Sequence, residues 1–142
     1  MEKERRLAKN GNYKSPICSS KNETDLNFNK GIDLMFKHIK KADFFIATHN
    51  EFSNYKVIDL MKKNEIKNNS DKIWFGQLYG MSDNITFNLA SEGYNVAKIL
   101  PFGPVENLVP YLIRRAQENS SIEGQSSREL SLLKKELHRR SS

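Results

Sequence analysis

Two short, nearly continuous apolar runs, Ala42-Asp-Phe-Phe-Ile-Ala-Thr48 and Lys72-Ile-Trp-Phe-Gly-Gln-Leu-Tyr79, flank a stretch of helical periodicity. Runs of this length, rich in aromatic and branched residues, read as strands covered on both faces. The stretch between them, Phe52 to Asn64, carries Tyr55, Val57, Ile58 and Met61 at helical spacing. The alternation then continues. Ser82 to Ala90 reads as a short helix, Val96 to Leu100 as a weaker strand, and Val105 to Asn119 as a helix. Short connections between alternating strands and helices imply parallel strands with helices packed over them. Two covered strands and a weaker third do not close a barrel by themselves; they read as part of a larger sheet.

The flanks are more polar. Glu2 to Lys9 reads as a short helix stopped by Asn10-Gly11-Asn12, and Tyr13 to Cys18 as an extended segment containing Pro16. Ser19 to Asp25 reads as a polar loop. Thr24 or Asp25 then caps a helix running to Lys40, with Phe28, Ile32, Met35, Phe36 and Ile39 as its apolar stripe. Ser120 to Ser127 is a connector, and Arg128 to Arg140 an amphipathic helix striped by Leu130, Leu132, Leu133 and Leu137. This divides the chain into residues 1–120 and an appended segment, 121–142.

Composition and motif content disfavour several function classes. The formal net charge is +6, but the cations are scattered over Arg5-Arg6, Lys40-Lys41, Lys62-Lys63 and Lys134-Lys135. That pattern belongs to solvated helix faces, and neither a basic stripe nor a nucleic-acid-binding motif is present. Cys18 is the only cysteine, so an intrachain disulfide and a cysteine-based metal site are both excluded. His38 and His138 have no acidic or histidine partner at ligand spacing, so no metal is expected. No apolar run is long enough to span a bilayer, and the charged Met1–Asn10 segment reads as a helix already under way and not as a targeting peptide.

Ligands of parallel α/β proteins bind at the carboxyl ends of the strands. The first covered strand ends in Thr48-His49-Asn50: a hydroxyl, an imidazole and an amide. Together they could hold the polar edge of a cofactor. Equally, Thr48 or Asn50 could cap the next helix while His49 stands on the surface. At the second strand's end, Gly76 and Gly80 allow close approach of a backbone or a flat ring, and Leu78 could form an apolar wall. Further on, Pro101, Gly103 and Pro104 turn the chain sharply into the helix that carries Arg114 and Arg115. Tyr111, Arg114, Arg115 and Glu118 share one helical face. Paired guanidinium forks match carboxylate oxygens, and Glu118 can reach back to aim either arginine. A solvated charge run at a helix end is the alternative.

Ala47-Thr-His-Asn50, Phe75-Gly-Gln-Leu-Tyr-Gly-Met-Ser-Asp83, Leu100-Pro-Phe-Gly-Pro104 and Tyr111-Leu-Ile-Arg-Arg-Ala-Gln-Glu-Asn-Ser-Ser121 occur in one order at characteristic spacing. Together they resemble the C-terminal part of proline dehydrogenase, nearer its eukaryotic, mitochondrial branch. The resemblance implies the C-terminal portion of a (β/α)8 TIM-like barrel, incomplete in this chain, with flavin adenine dinucleotide (FAD) as cofactor. It implies oxidation of L-proline to pyrroline-5-carboxylate, a quinone as electron acceptor, and a place on the matrix side of the mitochondrial inner membrane. It further implies that Arg114 and Arg115 bind the substrate carboxylate and that Glu118 orients Arg114. Leu78 would line the proline pocket, Thr48, His49 and Asn50 would contact the flavin, and Ser20 and Lys21 would lie near a flavin-contacting loop. Ile99 stands where the family usually has a tyrosine packed on the proline ring, which bears on proline against hydroxyproline as substrate. The strands expected to carry a substrate-binding lysine, an aspartate and an arginine near the flavin would precede Met1, so a non-catalytic remnant or interaction subunit is a further expectation.

Overall fold

The computed structural model describes residues 1–120 together with Ser131, Lys134, Leu137, His138 and Arg140; for residues 116–120 it describes the backbone only. The elements are α1 (Glu2–Asn10), α2 (Lys21–Lys37), β1 (Phe44–Ala47), α3 (Glu51–Lys63), β2 (Ile73–Leu78), α4 (Asp83–Ser91), β3 (Val96–Ile99) and α5 (Val105–Ser120). The strands form one parallel sheet in the order β1-β2-β3. The chain falls into two compact units, Met1–Leu100 and Pro101–Ser142.

The first unit is built on one face of its sheet. Phe44 and Ile46 of β1 and Ile73 and Phe75 of β2 are buried beneath Ile32, Phe36, Val57, Met61, Ile85 and Leu89 of the helices. Phe75 meets Tyr94 edge-on, with ring centroids 5.6 Å apart. Burying one such side chain contributes about 1.5–3 kcal/mol, so this layer supplies most of the unit's stability. The opposite face differs from the expectation of strands covered on both sides. Phe45 is 49% exposed and Trp74 40%. Helices α2, α3 and α4 all pack on the other face.

Gly76 also belongs to the open face. A Cβ there would stand 2.4 Å from the Phe45 ring. The flat group that Gly76 admits is therefore a neighbouring side chain of the same sheet.

Helix α2 begins earlier than its sequence suggests. Ser20, not Thr24 or Asp25, is the N-cap, accepting from the Glu23 amide at 3.1 Å. Glu23 reaches back to accept from the amide (2.7 Å) and hydroxyl (2.6 Å) of Ser19. This is a reciprocal cap of the Ser-x-x-Glu kind, displaced by one residue. The segment read as a loop is thus the first helical turn. Phe28 falls off the buried stripe, which Ile32 and Phe36 carry. Helix α5 continues past Pro110, and the carbonyl of Pro104 receives the amides of Asn107 and Leu108. Of the closing helix expected over Arg128–Arg140, the five described residues are helical; Leu130, Leu132 and Leu133 lie outside the described residues.

Two outcomes follow from this packing. Gly76→Ala should destabilise the chain by about 1 kcal/mol in urea unfolding and become neutral or stabilising on a Phe45→Ala background, because the ring alone opposes the new methyl. The hydrogen bonds from Ser19 hold the Glu23 carboxyl below its ordinary pKa. Its contribution to the α2 cap is therefore present above the unfolded-state value and lost as pH falls through the lowered one. The protection of the Ser19 amide against exchange, taken relative to its intrinsic rate at each pH, should fall over that acidic window in the wild type and show no such fall in Glu23→Gln.

Candidate active site

Strand β1 stops at Ala47, opposite Gly76, while β2 runs on to Leu78. The next rung of the ladder would carry the Leu78 amide to the Thr48 carbonyl. That carbonyl instead receives the side-chain amides of Asn54 (3.3 Å) and Gln77 (3.4 Å). The Leu78 amide turns to Nε2 of His49 at 3.5 Å, and Nδ1 of His49 lies 2.9 Å from the Ser82 hydroxyl. An amide can only donate, so Nε2 accepts and the ring proton sits on Nδ1, where it donates to Ser82.

Asn50 caps α3, its Oδ1 accepting from the amides of Phe52 (3.0 Å) and Ser53 (3.3 Å). Asn54 also donates to the Asn50 carbonyl at 2.8 Å, and the Thr48 hydroxyl accepts from the Asn50 amide at 3.1 Å. The capping alternative is thus realised by Asn50, with Thr48 bracing it. Both keep a donor in hand: among the described residues, no partner is found for the Asn50 Nδ2 group or the Thr48 hydroxyl hydrogen. Both residues are half-buried. His49 is half-buried too and is not an ordinary surface group, since it closes the end of the β1–β2 ladder.

Three further residues organise this end of the sheet, and sequence reasoning passed over all of them. Gln77, 1% exposed, accepts from the Thr86 hydroxyl at 2.9 Å while bonding to Thr48, and so ties β1, β2 and α4 together. Lys98 of β3 donates to the carbonyls of Met81 (2.7 Å) and Leu78 (3.5 Å) and pairs with Asp83 at 2.6 Å. Ser82 holds a left-handed backbone at φ 51°. The one available signal was Lys98 itself. A lysine inside an apolar strand, in register with a glutamine, marks a polar seam on the helix side of the sheet.

On the opposite face Leu78 and Ile99 are register partners, beside Ala97 and Gly76. Leu78 is half-buried, and Ile99 is 37% exposed. The two residues read from sequence as pocket walls are therefore neighbours on the open face, one strand away from the His49 loop. Lys21 lies in the first turn of α2, exposed and paired with Asp25 at 2.6 Å. In the second unit, Arg114 is exposed and Arg115 half-buried, with the Arg115 guanidinium carbon 5.6 Å from the Tyr111 ring centre. This is a cation–π contact along one helical face. Glu118 lies on the same helix, and its side chain is outside the described residues. Among the described residues no group of ligands for a metal forms, and no helix is long and apolar enough to cross a membrane.

A family model described as proline dehydrogenase matches residues 1–128. The chain belongs to the proline dehydrogenase family. Hydroxyproline dehydrogenase of Xenopus laevis is 38% identical over 99% of this chain and 31% of its own length. "Proline dehydrogenase 1, mitochondrial" of Homo sapiens is 37% identical over 99% of this chain and 24% of its own. The protein of the same name in Dictyostelium discoideum is 39% identical over 89% and 23%. A crystal structure of proline utilization A (PutA) from Bdellovibrio bacteriovorus, inactivated by N-propargylglycine, superposes with a TM-score of 0.76 at 26% identity. It covers 86% of this chain and 12% of that one. This proline dehydrogenase family member thus spans a quarter to a third of the curated relatives it matches.

Lys98→Met should loosen the turn between β2 and α4. Half-buried, charge-assisted bonds of this kind are worth about 1–2 kcal/mol. Chemical unfolding should register that loss, with faster amide exchange confined to Met81–Asp83.

Proposed function

We propose that this chain is the C-terminal portion of an FAD-dependent proline dehydrogenase, built as part of a (β/α)8 barrel. In this reading residues 1–120 belong to the barrel and residues 121–142 are an appended segment. β1 and β3, each paired on one side only among the described residues, are the edges that further barrel strands would meet. The observation that carries the reading is the pairing of Leu78 with Ile99 on the open sheet face, beside the loop of Thr48, His49 and Asn50.

Oxidation of L-proline to pyrroline-5-carboxylate removes a hydride, which bound FAD would accept before the electrons pass to a quinone. The protein's part is to bind and orient. The two donors left over on Asn50 Nδ2 and the Thr48 hydroxyl suit a cofactor edge rich in acceptors. With His49 and the more distant Lys21 they are the groups that would hold it. Leu78 and Ile99 would wall the proline ring. Arg114 and Arg115 would grip its carboxylate through planar forks, with Glu118 aiming Arg114; such a clamp fixes ring orientation for hydride transfer. The mitochondrial names of relatives support a place in mitochondria, and the proposal puts it at the matrix side of the inner membrane.

Hydroxyproline oxidation is a second reading. It is favoured by Ile99 in place of the family's usual tyrosine and by the 38% identical Xenopus relative.

The test is the absorbance spectrum of the purified chain after incubation with FAD. Retained flavin that L-proline bleaches under anaerobic conditions supports the reading, and the ratio of bleaching by proline and 4-hydroxyproline separates the two substrates. A colourless chain removes catalysis and leaves a non-catalytic interaction segment. In the flavin-loaded chain, Arg114→Lys and Arg115→Lys should each raise the KM for proline about ten- to a hundredfold, the worth of a charged hydrogen bond, with flavin retained.

A further inference from the structure

Ser82 stands at the N-cap of α4, a position where serine usually bonds to the first turn from an extended backbone. Here it does neither. Its side chain makes no capping bond, its backbone is left-handed at φ 51° and ψ 42°, and the residue is only 3% exposed. A non-glycine residue in that region is strained. The hydroxyl is instead 2.9 Å from Nδ1 of His49, a residue 33 positions away at the end of a different strand. Lys98 holds the turn that presents it, through the Met81 carbonyl and Asp83. Local stability is given up twice, in the missing cap and in the strained backbone, and the hydroxyl is aimed at an imidazole in return.

We infer that Ser82 is a positioning residue: its hydroxyl locks His49 as the Nδ1–H tautomer and thereby fixes the Thr48–Asn50 loop against β2. With the proton on Nδ1, Nε2 serves as the acceptor for the Leu78 amide, the bond that replaces the missing ladder rung. Without Ser82 the imidazole would relax toward the Nε2–H form that histidine in water prefers, and that form would set N–H against N–H at Leu78. The loop that places Thr48 and Asn50 would then lose its anchor. The functional meaning of this device rests on the reading of that loop as a flavin contact; the tautomer does not.

The experiment separates the two. Two-bond 15N–1H correlation spectra of the whole chain, with His49 assigned through His49→Gln, report its tautomer without any cofactor. The wild type should show a neutral ring protonated at Nδ1. Ser82→Ala and Ser82→Gly should both move His49 toward the Nε2–H form. Glycine relieves the left-handed backbone, so Ser82→Gly should melt at or above the wild-type temperature while Ser82→Ala melts below it. A His49 protonated at Nε2 in the wild type, or unchanged in Ser82→Gly, overturns the inference. So does a Ser82→Gly chain that melts as low as Ser82→Ala. FAD titration supplies the second arm, with Ser82→Gly expected to weaken binding by up to about tenfold. If the wild type binds no FAD while the tautomer behaves as expected, the flavin reading fails and the role of Ser82 stands.

Discussion

The candidate site depends on a stagger in the sheet. β1 leaves the ladder at Ala47, two residues before β2 ends at Leu78. A strand that outruns its neighbour exposes backbone groups that must find partners, because a buried unpaired amide or carbonyl costs about 1–3 kcal/mol. Here the partners are side chains. His49 takes the Leu78 amide, and Gln77 and Asn54 take the Thr48 carbonyl. Each of these groups is recruited by the same geometric mismatch, so polar side chains converge on the carboxyl end of the sheet. The two donors that Thr48 and Asn50 keep in hand result from the same arrangement.

The two faces of the sheet have different duties. The helix side is a closed apolar layer sealed at its upper end by Gln77, Thr86 and Lys98. The other side presents Phe45, Trp74, Leu78, Ala97 and Ile99, away from α2, α3 and α4. Apolar residues on a sheet face remain exposed only where something else completes the surface. The proposed barrel would supply a physical reason: the interior face of a barrel sheet is covered by the sheet itself, curled round.

The resemblance motifs divide unevenly in physical terms. Ala47–Asn50 and Phe75–Asp83 sit at the carboxyl ends of neighbouring strands, and the hydrogen bonds that His49 accepts from the Leu78 amide and donates to the Ser82 hydroxyl join them. Their spacing in the sequence carries that neighbourhood, because alternating strand and helix puts successive strand ends side by side. The arginine face of α5 was legible as a face, and the approach of Arg115 to Tyr111 follows from i, i+4 geometry. Its use as a carboxylate clamp needs groups beyond that helix and stays with the proposal.

Composition and periodicity alone determined the order of the strands and the helices between them, the parallel sense of the strands and most of the helix-facing core, with Phe28 and Tyr55 the exposed exceptions, because burial imposes a period on the residues that achieve it. They also placed Thr48, His49, Asn50, Leu78 and Ile99 at strand ends. What each of these side chains does was decided in three dimensions. Whether a strand is covered on one face or two depends on what packs against it, and Phe45 and Trp74 look equally apolar either way. The start of α2 moved to Ser20 because the cap with Glu23 outcompeted Thr24 and Asp25. The tautomer of His49, the turn of Ser82 and the reach of Lys98 depend on bonds between residues 17 to 33 positions apart, and local sequence pattern carries no record of such pairings.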